Sequence, residues 1–98
     1  MGYTLDPLRS RNAMEKSIHS AHYAVFLNVL REARERAGLT QVQLAHKIGE
    51  TQTFVSKCER GERRIDVIEL RTFCQAFGVT MKQFMESLER AISKGKKT

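Results

Sequence analysis

Four glycines divide most of this chain into short stretches with helical periodicity. Each glycine follows a stretch in which apolar residues recur every three or four positions, where a left-handed residue commonly ends a helix. The four are Gly38, Gly49, Gly61 and Gly78. The single proline, Pro7, precedes all of them, and no stretch shows the sustained alternation of a strand. The sequence therefore predicts an all-helical protein with helices of about 8–18 residues.

The starts of the predicted helices share a pattern of capping residues. In three of them a Thr or Asp is followed three positions later by Gln or Glu, which is the spacing of a capping box. The pairs are Thr40 with Gln43, Asp66 with Glu69, and Thr80 with Gln83. The helix after Gly49 differs, because Thr51 can cap it but Phe54 occupies the position of the second box residue. Its first backbone amides are therefore available to a phosphate, which helix N-termini bind well.

The apolar periodicity between these signals predicts a bundle of five helices. We expect the helices over about residues 20–37, 41–48, 52–60, 67–77 and 81–93. Residues 1–19 form an N-terminal extension, in which Met14 and Ile18 stand at helical spacing and allow an extra helix. Residues 94–98 are expected to form a basic, flexible tail. Residues 20–93 then form the folded domain.

The second and third predicted helices have the lengths of a helix-turn-helix. Both are short, and about three residues around Gly49 separate them, which is typical of two helices that cross steeply through a tight turn. Ala45 is small enough for the close approach of such helices. Helices this short are marginal alone, so the first and fourth helices are expected to support them.

These residues carry a resemblance to a known family. The stretch from Leu39 to Gly61 closely resembles the DNA-binding domains of the Cro and phage-repressor type (XRE-like) family. The matching residues are Leu39-Thr40-Gln41, Leu44-Ala45, Ile48-Gly49, Val55-Ser56, Glu59-Arg60-Gly61, Leu70 and Phe77-Gly78-Val79. The resemblance implies a lambda-repressor-like bundle that binds double-stranded DNA, commonly as a homodimer. The N-terminal extension and Cys58 depart from the family pattern.

Composition agrees with a nucleic-acid partner. The chain carries 17 Lys and Arg against 11 Asp and Glu, a formal net charge of +6, which favours phosphate partners. No apolar stretch approaches the length of a membrane span, and charged residues interrupt the N-terminus where a signal peptide would be apolar. Cys58 and Cys74 lack metal-ligand spacing, so we expect buried, reduced thiols in a cytoplasmic protein. No metal, cofactor or catalytic constellation is predicted, and an enzyme is not expected.

The third helix is expected to read DNA bases. At about 100° per residue, Val55 and Cys58 define its buried face, and the polar residues point away from that face. Glutamine can bond adenine, lysine favours guanine, and apolar groups can touch a thymine methyl. The predicted base contacts are Gln52, Thr53, Lys57, Phe54 and Ser56. For Phe54 the sequence leaves two alternatives, a base contact or sideways packing.

Other residues are expected to position the helix. By resemblance, Gln41 contacts a phosphate and braces Gln52, and Arg34 of the first helix pairs with Glu59 in a structural ion pair. The loop after the third helix flanks the groove, so its cations are phosphate candidates. The full set of predicted phosphate contacts is Gln41, Thr51, Arg60, Arg63 and Arg64. Arg63 and Arg64 can instead be simple surface charges.

The sequence leaves several roles open. The leading hypothesis is a transcription regulator, most simply a repressor that occupies an operator. A restriction–modification controller uses the same chemistry, whereas a DNA-binding antitoxin would also need a toxin protein as its partner. The apolar residues Leu88 and Ile92 on the fifth helix are candidates for a dimer contact, unless that helix folds entirely onto its own domain.

Overall fold

Helix boundaries in this protein follow its capping residues. The computed structural model describes residues 19–97, which form five α-helices and no strand. A π-helical turn, His19–Tyr23, leads directly into the first α-helix. The helices are α1 (Ala24–Arg36), α2 (Gln41–Ile48), α3 (Gln52–Glu59), α4 (Val67–Phe77) and α5 (Met81–Lys97). The predicted all-α, five-helix bundle is confirmed.

The three capping boxes are present. In α2, Thr40 Oγ1 accepts from Gln43 N at 3.0 Å and Gln43 Oε1 accepts from Thr40 N at 2.9 Å. The boxes of α4 and α5 repeat this exchange. At α3, Thr51 Oγ1 accepts from Phe54 N at 3.1 Å, without a reciprocal bond. Each cap stabilises its helix by about 1 kcal/mol, so the start of every helix after α1 is fixed locally.

Two glycines shape the connections on either side of α3. Gly49 has φ 73° and ends α2, while Glu50 N donates to Ala45 O at 2.9 Å to close the turn. Gly61 has φ 80° after α3, and a Cβ there would lie 3.0 Å from Leu27 Cδ1 of α1. The backbone angle therefore favours glycine at this position, and any larger residue would also have to displace the Leu27 side chain.

The core fixes the inner face of α3. Leu30, Leu44, Val55 and Cys58 are fully shielded from solvent, together with Phe73 and Cys74 of α4. These residues come from α1, α2, α3 and α4, and Phe84 of α5 packs beside them. Both cysteines are free thiols, and burial raises their pKa values. With one face anchored, α3 presents its opposite face outward.

The fifth helix is longer than expected. We expected it to end near Ser93, before a flexible tail from Lys94 to Thr98, whereas the helix continues through Lys97. No proline interrupts this stretch, and lysines interact favourably with the negative end of a helix.

The expected N-terminal extension lies outside the described residues, apart from His19. None of the described helices has both the length and the apolar composition to cross a membrane.

Candidate nucleic-acid interface

The outward face of α3 is polar. Gln52, Thr53 and Lys57 are exposed, whereas Val55 and Cys58 on the opposite face are buried. This is the division that helical periodicity predicted. The three exposed side chains leave from one surface of one helix, so a single groove of DNA could meet all of them.

A chain of hydrogen bonds connects the bundle interior to the first turn of α3. Arg34 donates to Glu59 through Nε at 2.7 Å and Nη2 at 3.1 Å, and its Nη1 donates to Leu39 O at 2.9 Å. Gln41 Nε2 donates to Glu59 Oε1 at 2.9 Å, and Gln52 Nε2 donates to Gln41 Oε1 at 2.8 Å. We call this series, from Arg34 through Glu59 and Gln41 to Gln52, the Arg34–Gln52 chain. It contains the ion pair and the brace that the family resemblance implied.

The Arg34–Gln52 chain orients one side chain at the surface. Arg34 and Glu59 are the buried charged residues of the described region, at 8% and 7% exposure, and their hydrogen bond raises the pKa of Arg34. Gln41 is half-buried and Gln52 is exposed, so the series runs outward from the core. Because Gln41 fixes the amide of Gln52, this side chain would lose less conformational entropy on binding a partner.

Phe54 packs sideways instead of pointing outward. Its ring is half-buried and lies 6.4 Å from the ring of Phe73, and the Arg63 guanidinium covers it 4.7 Å from the ring centroid. Arg63 also donates to both carboxylate oxygens of Glu69 at 2.9 Å, which raises the pKa of Arg63. Of the two alternatives for Phe54, the structure has the packed one. Arg63 is therefore held between Phe54 of α3 and Glu69 of α4.

Arg60 has an acidic partner immediately beyond α3. Its Nε and Nη2 donate to the two carboxylate oxygens of Glu62 at 2.9 and 3.1 Å, and its Nη1 donates to Ser56 Oγ. The side chains of Arg60 and Glu62 are 54% and 52% exposed. Ser56 is half-buried under this arginine, so its hydroxyl is occupied locally. In the free protein, Arg60 is therefore positioned at the surface by Glu62 and Ser56.

The remaining phosphate candidates lie at the two ends of α3. Thr51 caps the first turn of α3, in which the first backbone amides have no partner within the helix. Arg64 lies in the loop after α3, with its guanidinium 5.5 Å from the ring centroid of Tyr23. The hydroxyl of Tyr23 also accepts from Ile65 N at 3.3 Å. Tyr23 thus supports the loop from the side of α1.

Three residues of this surface were not singled out as site residues from the sequence: Tyr23, Glu62 and Glu69. Glu69 was assigned only to the capping box of α4, yet its carboxylate also holds Arg63. The alternation of charges over 57–64 is the only sequence signal for the pairing of Glu62 with Arg60. No group of three His, Cys, Asp or Glu suited to a metal ion occurs within the described residues.

Known proteins share this architecture. The family described as helix-turn-helix matches residues 30–84, which is more than half of the chain. An XRE-family like protein from Pseudomonas syringae pv. tomato str. DC3000 is 47% identical, with a TM-score of 0.72, over 81% of this chain and 95% of that one.

The chain belongs to the XRE family of helix-turn-helix proteins. Two structures of point mutants of the restriction–modification controller protein C.Esp1396I are also similar to this XRE-family chain. The first is 25% identical with a TM-score of 0.69, and the match covers 72% of this chain and 95% of that one. The second is 28% identical with a TM-score of 0.70, and the match covers 76% of this chain and 94% of that one. No curated protein matches the chain. Membership of this family makes the protein a DNA-binding regulator.

Proposed function

We propose that the protein binds a specific sequence of double-stranded DNA as a homodimer and represses transcription by occupying an operator. The observation that carries this proposal is the outward face of α3, on which Gln52, Thr53 and Lys57 stand free of the core and Gln52 is held by the Arg34–Gln52 chain. A rigid helix with donors and acceptors on one face suits the major groove, where each base pair has its own pattern.

The proposed contacts fall into two groups. Gln52, Thr53 and Lys57 would read bases, because they share the outer face of α3. The phosphate contacts would come from the start of α3, through Gln41 and Thr51, and from the loop beyond it, through Arg60 and Arg64. Arg63 would act indirectly, since its guanidinium is engaged by Phe54 and Glu69. The protein would act by binding alone.

The homodimer is proposed because a single α3 can contact only a few base pairs. One helix of this length reaches too few base pairs for strong selectivity, and two-fold symmetric pairs are the usual remedy. On α5, Met85 is exposed and Leu88 and Ile92 are half-buried, although Leu88 also packs beside the core. These residues would meet their copies on a second chain. We also infer a cytoplasmic location, where free thiols such as Cys58 and Cys74 persist.

A second candidate, a restriction–modification controller, is supported by the similarity to C.Esp1396I. It would use the same interface, so only the regulated genes would differ. No observation on residues 19–97 favours the antitoxin hypothesis.

Selection from a random pool of duplex DNA tests the proposal. We expect the enriched sites to be nearly palindromic, with half-sites about 10 base pairs apart, because each α3 of a dimer enters the major groove on one side of the duplex. Sequencing of the bound fraction after several rounds measures this. Enrichment of a single asymmetric site would contradict the dimer, and no enrichment at all would contradict sequence-specific binding.

The dimer contact is tested on α5. Leu88→Asp is expected to convert a weak dimer into a monomer, because it places a charge in the centre of an apolar contact. Analytical ultracentrifugation over a range of protein concentrations measures the dimer dissociation constant. Ser93→Asp, which adds the same charge at an exposed position of α5, serves as the control and should leave the constant unchanged. A Leu88→Asp protein that remains folded and dimeric would place the interface elsewhere.

A further inference from the structure

Glu62 lies among the cations that are proposed to meet DNA. Its two carboxylate oxygens accept from Nε and Nη2 of Arg60, which is the side-by-side geometry that a phosphate group also takes on an arginine. Arg60, and more weakly Lys57, hold the pKa of the Glu62 carboxyl below its usual value. The carboxylate is therefore charged at neutral pH and occupies the edge of Arg60 that DNA would need.

Helix stability does not explain an acidic residue at this position. Glu62 N donates to Lys57 O at 2.9 Å, so Glu62 follows directly on the C-terminal end of α3. The dipole of a helix is negative at that end, and a carboxylate there is unfavourable. Glu69 is a contrast, because it completes the capping box of α4 as well as binding Arg63. Among the described residues, the Glu62 side chain has hydrogen bonds to Arg60 only.

We propose that Glu62 acts as an internal substitute for a DNA phosphate and lowers the affinity of the protein for DNA of any sequence. This inference rests on the proposed function, since it assumes that Arg60 faces the DNA backbone. A phosphate must either displace the carboxylate from Arg60 or approach a pair that carries no net charge. Both routes remove about one cation from the electrostatic attraction.

The consequence concerns the balance between base and backbone contacts. Electrostatic attraction to phosphates supplies nearly all of the binding to random DNA, and a genome offers a large excess of random sites. A protein with one fewer effective cation is less retained by those sites. The base contacts of Gln52, Thr53 and Lys57 then supply a larger share of the binding free energy at the operator.

The variant Glu62→Gln tests the inference, because it removes the charge and keeps the shape. Its affinity for a random-sequence duplex should rise by roughly threefold to tenfold, and its log–log salt slope should become steeper by about one unit. Fluorescence anisotropy at several salt concentrations measures both values. Glu32→Gln is the matched control, since it removes the same charge from an exposed position in the groove between α1 and α5.

The Arg60→Ala background shows whether Glu62 acts through Arg60. There, Glu62→Gln should change the affinity no more than Glu32→Gln does. An equal gain with and without Arg60 would overturn the inference, as would a Glu62→Gln protein that matches the Glu32→Gln control. If the wild-type protein binds DNA but Glu62→Gln has no effect, this inference alone fails. If the wild-type protein binds no DNA, the proposed function fails as well.

Discussion

Replacing Arg34 with Met is expected to lower the free energy of unfolding by about 3 kcal/mol. The change leaves the Glu59 carboxylate in a site that is only 7% exposed, without the two charged hydrogen bonds that it accepts from Arg34. The interaction with Leu39 O is lost as well. Gln41 still donates to Glu59, but one neutral amide cannot replace a guanidinium around a buried charge.

A double-mutant cycle isolates the pair from these other losses. Arg34→Met, Glu59→Gln and the double variant are compared by urea unfolding, and we expect a coupling energy of about 2–3 kcal/mol. The control cycle is Arg63→Met with Glu69→Gln. In this ion pair the arginine also donates to both carboxylate oxygens, but the side chains are 42% and 29% exposed. Its coupling should be much smaller, because water screens exposed pairs. A coupling near zero for Arg34 and Glu59 would show that the buried pair does not tie α1 to α3.

The parts of this structure that could be predicted from sequence are those fixed by neighbours along the chain. A capping box needs only residues three positions apart, so Thr40 and Gln43 indicate the start of α2 without any knowledge of the fold. The glycines that follow α1, α2, α3 and α4 are equally local signals, since each has a positive φ that other residues rarely adopt. The division of α3 into inner and outer faces then follows from helical periodicity.

Long-range and surface pairings could not be derived in this way. Arg34 and Glu59 stand 25 positions apart, a separation to which no spacing rule applies, and the pair was expected only because of the family resemblance. The position of Phe54 depends on Phe73 of another helix and on Arg63 of the following loop, neither of which periodicity relates to it. Arg60 was expected to contact a phosphate, and its pairing with Glu62 was not foreseen, because sequence gives no means of deciding which of several nearby carboxylates a flexible arginine will bind.

The largest expected effect on DNA selectivity comes from Lys57. This side chain is exposed on the outer face of α3, one turn after Thr53, where it can reach base edges. Lys57→Ala should weaken binding to the selected site and remove the preference at one or two base positions, at about 1–3 kcal/mol per lost contact. Binding to random DNA should change much less, because random sites offer no matching base.

Arg60→Ala provides the comparison, because Arg60 has the same charge as Lys57 but a different proposed role. It lies at the end of α3 beside the expected path of the backbone, so its loss should weaken selected and random DNA about equally. The salt slope should become shallower by about one unit in the Glu62→Gln background, where no carboxylate offsets Arg60, and by less in the wild-type background. Neither side chain lies on the Val55–Cys58 face, so both variants should unfold at the wild-type urea concentration.

Fluorescence anisotropy separates the two roles. Each variant is titrated with the selected site, with single-base variants of that site and with a random duplex. If Lys57→Ala keeps the full base preference while Arg60→Ala changes it, the roles assigned to the helix face and to the loop must be exchanged.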